Sequence, residues 1–193
     1  LTPTRYLWSH SSEYDQQIPC PFKPFSRLLA AKLRLWDQVA STRPDHYLAI
    51  SQTVSQRIAK YYHRESEVVY PGVDTNFFKQ TKLPTGNYFL IVSRLVGYKH
   101  VDIAIKACNE LKLPLVIVGT GKDLATLKAI AGPTISFTGQ LTDPELLGYY
   151  QGCRALIFPG EEDLGLTVLE AHSVGKPVIA YAHGGASETV VQN

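Results

Sequence analysis

The chain contains the apolar run Ala155-Leu156-Ile157-Phe158-Pro159, followed shortly by Glu162-Asp163-Leu164-Gly165-Leu166-Thr167-Val168-Leu169-Glu170. The first stretch predicts a buried strand, and the second opens a helical pattern that continues through Val174 and Gly175. We therefore expect Glu162 to Glu170 at the carboxyl end of a strand and the amino end of a helix. Open α/β sheets bind their ligands at this edge.

The two glutamates that bound this stretch, Glu162 and Glu170, and its helix start suit different parts of one ligand. Free backbone N–H groups and the helix dipole at a helix start favour an anion. A carboxylate such as Glu162 or Glu170 instead accepts hydrogen bonds, and it can accept two from a vicinal diol. A phosphate joined to sugars meets both demands.

Strand and helix patterns alternate regularly around this stretch. The predicted strands lie at 88–93, 115–118, 135–137, 155–158 and 178–182, and the helices between them lie at 101–111, 123–131, 143–151 and 166–174. The strands are continuous apolar runs, as expected for parallel strands that are buried on both faces. The sequence therefore predicts an α/β fold with a parallel sheet and crossover helices.

The preceding part of the chain lacks this regularity. It predicts a helix within 25–42, a strand at 46–50, a helix capped by Ser51 or Thr53, and a strand at 67–70. The breaking sequence Pro71-Gly72 follows, and the polar stretch 79–87 predicts a linker. We expect two domains, 1–72 and 73–193.

Composition excludes several classes of protein. The 19 Lys and Arg against 17 Asp and Glu give a net charge of +2, which does not suggest a nucleic-acid partner. Three cysteines without paired spacing indicate free thiols in a reducing compartment, so we expect a cytoplasmic protein. No apolar run approaches the roughly 18 residues of a membrane span. Because the chain has no methionine and begins at Leu1, we expect it to be a fragment.

Two cations follow the first strand of the alternating region. Ser93-Arg94-Leu95 ends that strand, and Lys99 begins the next helix. The helix dipole disfavours cations at this end unless an anion lies between them. Arginine offers a planar fork for phosphate oxygens and lysine offers a point charge. The alternative is a solvated loop that happens to carry two basic residues.

Each remaining turn has an ordinary explanation as well. Gly119-Thr120-Gly121 lacks the third glycine of a dinucleotide fingerprint, so it favours a tight strand-to-helix turn. Gly139-Gln140-Leu141 leads into a helix that Thr142 or Asp143 caps. Glu162 can be one of three solvated acids, and Glu170 can be paired with a nearby Lys or Arg. Histidines and cysteines show no metal-ligand spacing, which disfavours a metal-dependent hydrolase. No serine elbow or Walker loop is present, and the lack of the elbow disfavours a serine hydrolase.

Taken in order, the motifs resemble the donor half of a group 1 (family 4) glycosyltransferase across roughly residues 45–193. Glu161-Glu162-Asp163 and the N-terminal Thr2 to Trp8 resemble the branch that includes bacterial mannosyltransferases of surface polysaccharides. The motifs that carry the family resemblance are Ser93-Arg94-Leu95 with Lys99, Val118-Gly119, Phe137-Thr138-Gly139, Glu162 to Glu170, Gly175-Lys176-Pro177-Val178-Ile179-Ala180 and Gly184-Gly185-Ala186-Ser187-Glu188-Thr189.

The resemblance implies a GT-B fold, in which two Rossmann-like domains face each other across a cleft. Residues 1–72 would be the C-terminal part of the acceptor-side domain, and 73–193 the donor-binding domain, truncated at its C-terminus. The implied reaction is a retaining transfer of a sugar, with mannose as first candidate, from a nucleotide diphosphate sugar to a saccharide or lipid-linked acceptor. It needs neither a metal nor another cofactor. Association with the inner face of a membrane through the missing domain stays open.

The resemblance also implies a role for each site residue. Three would be catalytic: Arg94 and Lys99 would hold the diphosphate, and Glu162 would face the transferred sugar. Glu170 would bind the ribose hydroxyls. The remaining nucleotide-binding positions are Ser93, Gly119, Leu141 near the base, and Gly165, Leu166 and Thr167 at the distal phosphate.

Two positions depart from the family pattern. Leu164 stands where the family usually has Phe, and Leu1 stands where His usually precedes the Thr-Pro pair. If Leu1 is the native residue, a non-catalytic nucleotide-sugar binding module becomes the alternative function. A nucleotide-sugar epimerase of the same fold is another. We expect the chain by itself to bind a nucleotide and not to transfer sugar.

Overall fold

The computed structural model describes residues 2–9, 11, 15, 18–81 and 84–191. Leu1, where the resemblance expects a histidine, lies outside the described residues. The chain divides into two compact units, Leu1–Pro71 and Gly72–Asn193. The division between domains that we predicted at residue 72 stays a prediction about the whole protein.

The described part of the first unit includes two long helices and one pair of short parallel strands, after a 3₁₀ turn at Cys20–Phe22. Its elements are α1 (Lys23–Ala40), β1 (Leu48–Ala49), α2 (Gln52–Tyr62) and β2 (Glu67–Val68). Ser51 caps α2, since its hydroxyl accepts a hydrogen bond from the backbone N–H of Val54 at 3.1 Å. The helices appear where the sequence predicts them, whereas both strands are shorter than predicted. A small core of Ala49, Val54 and Ile58 lies between these elements.

The second unit is an α/β sandwich with five parallel strands. A 3₁₀ turn, Gly97–Lys99, follows the first of them. The elements are β3 (Phe89–Val92), α3 (Val101–Leu111), β4 (Leu115–Val118), α4 (Leu124–Ile130), β5 (Ile135–Gly139), α5 (Asp143–Gly152), β6 (Ala155–Phe158), α6 (Leu166–Ser173), β7 (Val178–Ala180) and α7 (Ala186–Thr189).

Both faces of this sheet are covered. Adjacent residues of β3 point to opposite sides, so Leu90 joins one core cluster and Ile91 joins the other. The Leu90 cluster includes Tyr150 of α5 and Val168 of α6, whereas the Ile91 cluster includes Ile105 of α3. This two-sided burial explains why the strands are continuous apolar runs, and the predicted α/β fold with a parallel sheet is confirmed.

The strand order β5-β4-β3-β6-β7 reverses direction at β3. The chain builds β4 and β5 on one side of β3 and then returns to place β6 on the other side. The β3–β4 ladder pairs all of Phe89–Val92 with Leu115–Val118. The β3–β6 ladder pairs Phe89 with Ala155 and Leu90 with Leu156, at the amino-terminal half of β3. A ligand crevice is expected outside the carboxyl ends of strands at such a reversal.

No helix in the described part of the chain is both long enough and apolar enough to span a membrane.

Candidate functional site

The chain leaves β3 along a path that the neighbouring strand supports. Ser93 N–H donates to the carbonyl of Val118 at 3.0 Å, and Leu95 N–H donates to Thr120 at 2.9 Å. Leu95 is fully buried, so its side chain anchors the segment in the core. Arg94 lies between these two anchored residues and is exposed. The backbone therefore fixes the base of the Arg94 side chain while its guanidinium remains accessible.

Tyr98 connects the two predicted cations. The Arg94 guanidinium donates a hydrogen bond from Nη2 to the Tyr98 hydroxyl at 2.7 Å. The ammonium of Lys99 lies 5.4 Å from the centroid of the Tyr98 ring. Lys99 ends the 3₁₀ turn, and His100 after it adopts the left-handed conformation with φ 51°. This turn holds both cations at the carboxyl end of β3.

Glu162 meets Lys99 across the strand reversal. Lys99 Nζ forms an ion pair with Glu162 Oε1, and the two side chains are only 16% and 18% exposed. Charges that are withdrawn from water to this extent need a partner of opposite sign. The interpretation of Glu162 as a solvated acid is therefore wrong, because the carboxylate is largely buried and paired with a candidate phosphate ligand.

Glycines allow the loops after β3, β6 and β7 to pack together. A Cβ on Gly160 would lie 2.9 Å from Lys99 Cα, and a Cβ on Gly184 would lie 2.6 Å from the Glu162 carbonyl oxygen. Gly185 N–H donates to that same carbonyl at 2.7 Å. The pair Gly184-Gly185 is thus more than a turn before α7, because it supports the backbone that carries Glu162.

The same loop leads from Glu162 into the amino end of α6. Gly165 precedes the helix with φ 88°, a conformation that favours glycine. The first backbone N–H groups of an α-helix have no partner within the helix, so those at the start of α6 suit an anion. Leu166 is 48% exposed, which leaves this helix end accessible, and Thr167 is half-buried.

Glu170 lies one turn further along α6 and has a partner that the sequence analysis missed. The Tyr150 hydroxyl donates to Glu170 Oε2 at 2.6 Å. Burial raises the pKa of Glu170, the Tyr150 hydrogen bond opposes that rise, and the charge of Asp143 adds to it. The expected alternative, a pairing with Lys or Arg, is wrong. No spacing rule links Tyr150 to Glu170, so the sequence offered no signal for this contact.

Gly119 and Leu141 support the site from the side of β4 and β5. Gly119 has φ 130°, and a Cβ there would collide with the carbonyl oxygen of Ser93. The tight-turn interpretation of Gly119-Thr120-Gly121 is thus confirmed. Leu141 is half-buried against the core cluster that contains Tyr150, just before Thr142 caps α5 in a capping box with Glu145.

The structure therefore brings the predicted residues together in two groups. Arg94 and Lys99 both lie against Tyr98 at the strand reversal, and Glu162 pairs with Lys99 there. Gly165 to Thr167 follow in the same loop as Glu162. Glu170 and Leu141 are instead attached to α5 and the adjoining core. Within the described residues, no group of three or more His, Cys, Asp or Glu side chains is arranged to hold a metal ion.

Chemically, the first group combines two cations, a helix start and one carboxylate. The cations and the helix start suit an anion with several oxygens. The carboxylates of Glu162, in this group, and Glu170, in the second group, suit hydroxyl groups. The arrangement fits a diphosphate that has a sugar at each end.

Comparison with known proteins identifies a family and several relatives of the chain. The family described as glycosyl transferases group 1 matches residues 73–193. A GDP-mannose-dependent alpha-mannosyltransferase of Mycolicibacterium smegmatis is 33% identical over 167 residues, which cover 80% of this chain and 44% of that protein. The O-antigen chain mannosyltransferase C of Escherichia coli is 27% identical over 172 residues, which cover 81% of this chain and 45% of that protein.

Solved structures share the fold. Anabaena HepE in complex with UDP and glucose superimposes with a TM-score of 0.74 at 22% identity, covering 84% of this chain and 51% of that one. This likeness agrees with the predicted GT-B type of fold. The chain spans less than half the length of the two mannosyltransferases that it resembles. Since the family match covers most of the chain, the protein belongs to the group 1 glycosyl transferases.

Proposed function

We propose that this chain supplies the nucleotide-sugar site of a retaining, metal-independent glycosyltransferase. The enzyme moves a sugar, with mannose as first candidate, from a nucleotide diphosphate sugar to a saccharide or lipid-linked acceptor. The observation that carries the proposal is the meeting of Arg94, Lys99 and Glu162 at the strand reversal, beside the amino end of α6.

The cations act where negative charge grows during transfer. Breaking the bond between the anomeric carbon and the diphosphate leaves charge on the departing phosphate oxygen. Fixed donors stabilise that charge most when they are already in position. Arg94 and Lys99 supply two such donors, and the N–H groups of Leu166 and Thr167 supply the helix end. In this proposal, side chains and a helix end meet the diphosphate without a divalent cation.

The ion pair between Lys99 and Glu162 gives each partner a second task. Glu162 holds the Lys99 ammonium in place and balances its charge. When a donor binds, a phosphate oxygen takes up part of the ammonium's hydrogen bonding, and the Glu162 carboxylate can then accept hydrogen bonds from the transferred sugar.

The nucleoside side of the donor falls to the second group of residues. Glu170 accepts hydrogen bonds from the ribose hydroxyls, and the backbone near Leu141 borders the base. Ser93 and Gly119, whose backbones are in close contact, form the adjoining wall. Mannose and guanine are our first candidates because two relatives are named as mannosyltransferases, one of them GDP-mannose-dependent.

Calorimetric titration of GDP-mannose, UDP-glucose and ADP-glucose into the 193-residue chain tests the proposed site. We expect GDP-mannose to bind most tightly, with the same affinity in EDTA as in Mg²⁺. Binding that is lost in EDTA and restored by Mg²⁺ would refute metal independence. Failure of all three donors to bind would refute the nucleotide-sugar site itself.

Transfer is tested separately, because it concerns the whole protein. A labelled donor sugar is followed into product, and the anomeric configuration of that product is read by NMR. Retention of the donor's configuration is expected. A product with inverted configuration would contradict a retaining transferase, and conversion of the donor sugar to its epimer would identify an epimerase.

A further inference from the structure

Tyr150 is a fully buried tyrosine whose hydroxyl contacts a predicted site residue. Its ring packs edge-on against Phe78, with ring centroids 5.9 Å apart, and belongs to the core cluster that contains Phe158 and Val168. From there its hydroxyl donates to Glu170 Oε2 at 2.6 Å. The ring has no solvent-exposed surface, so the direction of this hydroxyl is fixed by the packing around it.

The hydrogen bond determines which part of Glu170 is available to a ligand. A carboxylate has two oxygens, and Tyr150 occupies Oε2, so Oε1 and the remaining lone pairs are left for other donors. Holding one oxygen also stops rotation about the last bond of the side chain. The rotational freedom that a ligand would otherwise have to remove is therefore already lost before binding.

We propose that Tyr150 is a positioning residue, which orients the Glu170 carboxylate so that it binds the cis hydroxyls of the donor's ribose. Tyr150 itself does not touch the nucleotide. This inference rests on the proposed function, in which Glu170 is the ribose ligand. It extends that function by naming a residue on α5 that selects ribonucleotides over 2′-deoxyribonucleotides.

A purely structural role for Tyr150 leads to a different expectation. Loss of a core hydroxyl would then loosen the domain and weaken all nucleotides by the same factor. A positioning role predicts loss only for the hydroxyl contacts, so the affinity ratio between a ribonucleotide and its 2′-deoxy form should change. That ratio cancels any general weakening of the site.

The experiment measures this ratio in wild type, Tyr150→Phe and Tyr88→Phe. Tyr88 is a matched control, since its hydroxyl donates to the carbonyl of Tyr149 at 2.9 Å and its side chain packs against the same core cluster. Each protein is titrated with GDP, UDP and ADP and with their 2′-deoxy forms, and circular dichroism checks that each variant is folded.

We expect wild type and Tyr88→Phe to prefer the ribonucleotide about tenfold, and Tyr150→Phe to prefer it threefold or less. An unchanged ratio in Tyr150→Phe would overturn the positioning role while the proposed function stands. An equal fall of the ratio in Tyr88→Phe would also overturn it, because the change in the ratio would then not depend on the hydrogen bond between Tyr150 and Glu170.

The same titrations separate this inference from the proposal beneath it. Equal wild-type affinity for ribonucleotides and 2′-deoxyribonucleotides would remove the ribose role of Glu170, and the inference about Tyr150 would fall with it. Absence of binding by any of the six nucleotides would refute the nucleotide site as a whole.

Discussion

The two neighbours of β3 meet its carboxyl end in different ways. Towards β4, the ladder covers the whole strand, and backbone hydrogen bonds continue it to Leu95. Gly119 and Gly121 bring the next turn against the carbonyls of Ser93 and Leu95, so backbone meets backbone. Towards β6, the ladder covers the amino-terminal half of β3, and charged side chains meet beyond it.

The difference follows from the order in which the chain builds the sheet. β4 is the next strand in the chain after β3, and the turn that follows β4 packs tightly against the segment that follows β3. β6 enters on the opposite side after the reversal, so the loops after β3 and β6 lead away to different helices. The charged side chains of Arg94, Lys99 and Glu162 lie between these loops. The reversal therefore explains the difference between the two sides of β3. The side that faces β4 is a closed edge, where glycines let the backbones pack together, and the side that faces β6 is an open edge, where charged side chains meet.

The closed edge gives the largest expected effect. Gly119→Ala adds a Cβ that would collide with the Ser93 carbonyl oxygen and forces alanine to adopt φ 130°. We expect the free energy of unfolding to fall by about 3 kcal/mol. Gly139→Ala is the control: φ is 77° there, nothing lies within 4 Å of a Cβ, and we expect a loss of about 1 kcal/mol. Equal losses in urea titrations would show that backbone contact does not close this edge.

The ion pair at the open edge gives the next effect. Lys99→Met or Glu162→Gln alone leaves a largely buried charge without its ion-pair partner, so each should cost about 2 kcal/mol of unfolding free energy. The double variant should recover most of that loss, because it removes both charges.

The exposed pair Lys106 and Asp102 is the matched control for that cycle. Their side chains are 67% and 39% exposed, and such helical pairs couple by about 0.3–0.5 kcal/mol. A double-mutant cycle that gave the same coupling energy for Lys99 with Glu162 would contradict a largely buried pair in the crevice.

Glu170→Gln should give a smaller, pH-dependent gain in stability. The folded pKa of Glu170 is raised above its ordinary value of 4.5, chiefly by burial, so the folded state holds this proton more tightly than the unfolded state. The protonated carboxyl group therefore stabilises the folded state at low pH. This contribution is lost as the pH rises from the ordinary pKa of 4.5 through the raised pKa of the folded state. Glutamine keeps an acceptor for Tyr150 without the charge.

Thermal melting tests this sign directly. Glu170→Gln should melt above wild type at pH 7.5, and the difference should vanish at pH 3.5, where the wild-type carboxyl is protonated in both states. Nucleotide affinity should nonetheless fall at pH 7.5, because an amide oxygen is a weaker acceptor than a carboxylate. A variant that melts below wild type at pH 7.5 would contradict the raised pKa.

The sequence predicted the parts of this molecule that depend on local pattern. Apolar runs such as Leu115–Val118 gave the strands of the second unit, and Ser51 and Thr142 marked helix starts correctly. The strands at 46–50 and 67–70 were predicted too long. Their apolar pattern sets which residues face the core, whereas pairing with a neighbour sets how far a strand extends, and β1 and β2 pair over two residues.

The contacts of the site were harder to predict, because they join distant parts of the chain. The place of Glu162 to Glu170 between a strand and a helix led us to both glutamates, and the family resemblance gave their roles. Neither gave a sign that Lys99 pairs with Glu162. Tyr150 was equally hidden, since Tyr149 beside it has the same chemistry and only the rotation of α5 decides which hydroxyl reaches Glu170. Such contacts depend on how helices pack on the sheet.

The most direct test of the open edge compares cations at the two ends of the same sheet. Arg94 and Lys99 lie beyond the carboxyl end of β3, whereas Arg154 precedes β6 at the amino end, with its guanidinium 5.6 Å from the Phe89 ring centroid. Each variant, Arg94→Ala, Lys99→Ala and Arg154→Ala, removes one positive charge, and each is titrated with GDP by calorimetry. This design separates a local phosphate contact from a general effect of net charge.

Loss of a charge-assisted contact costs about 1.5–3 kcal/mol, so Arg94→Ala and Lys99→Ala should each weaken GDP binding roughly tenfold to 150-fold. Arg154→Ala should change it less than about twofold, since only long-range, salt-screened attraction is lost. Unchanged affinity in both Arg94→Ala and Lys99→Ala, or an equal loss in Arg154→Ala, would contradict a diphosphate site at the strand reversal.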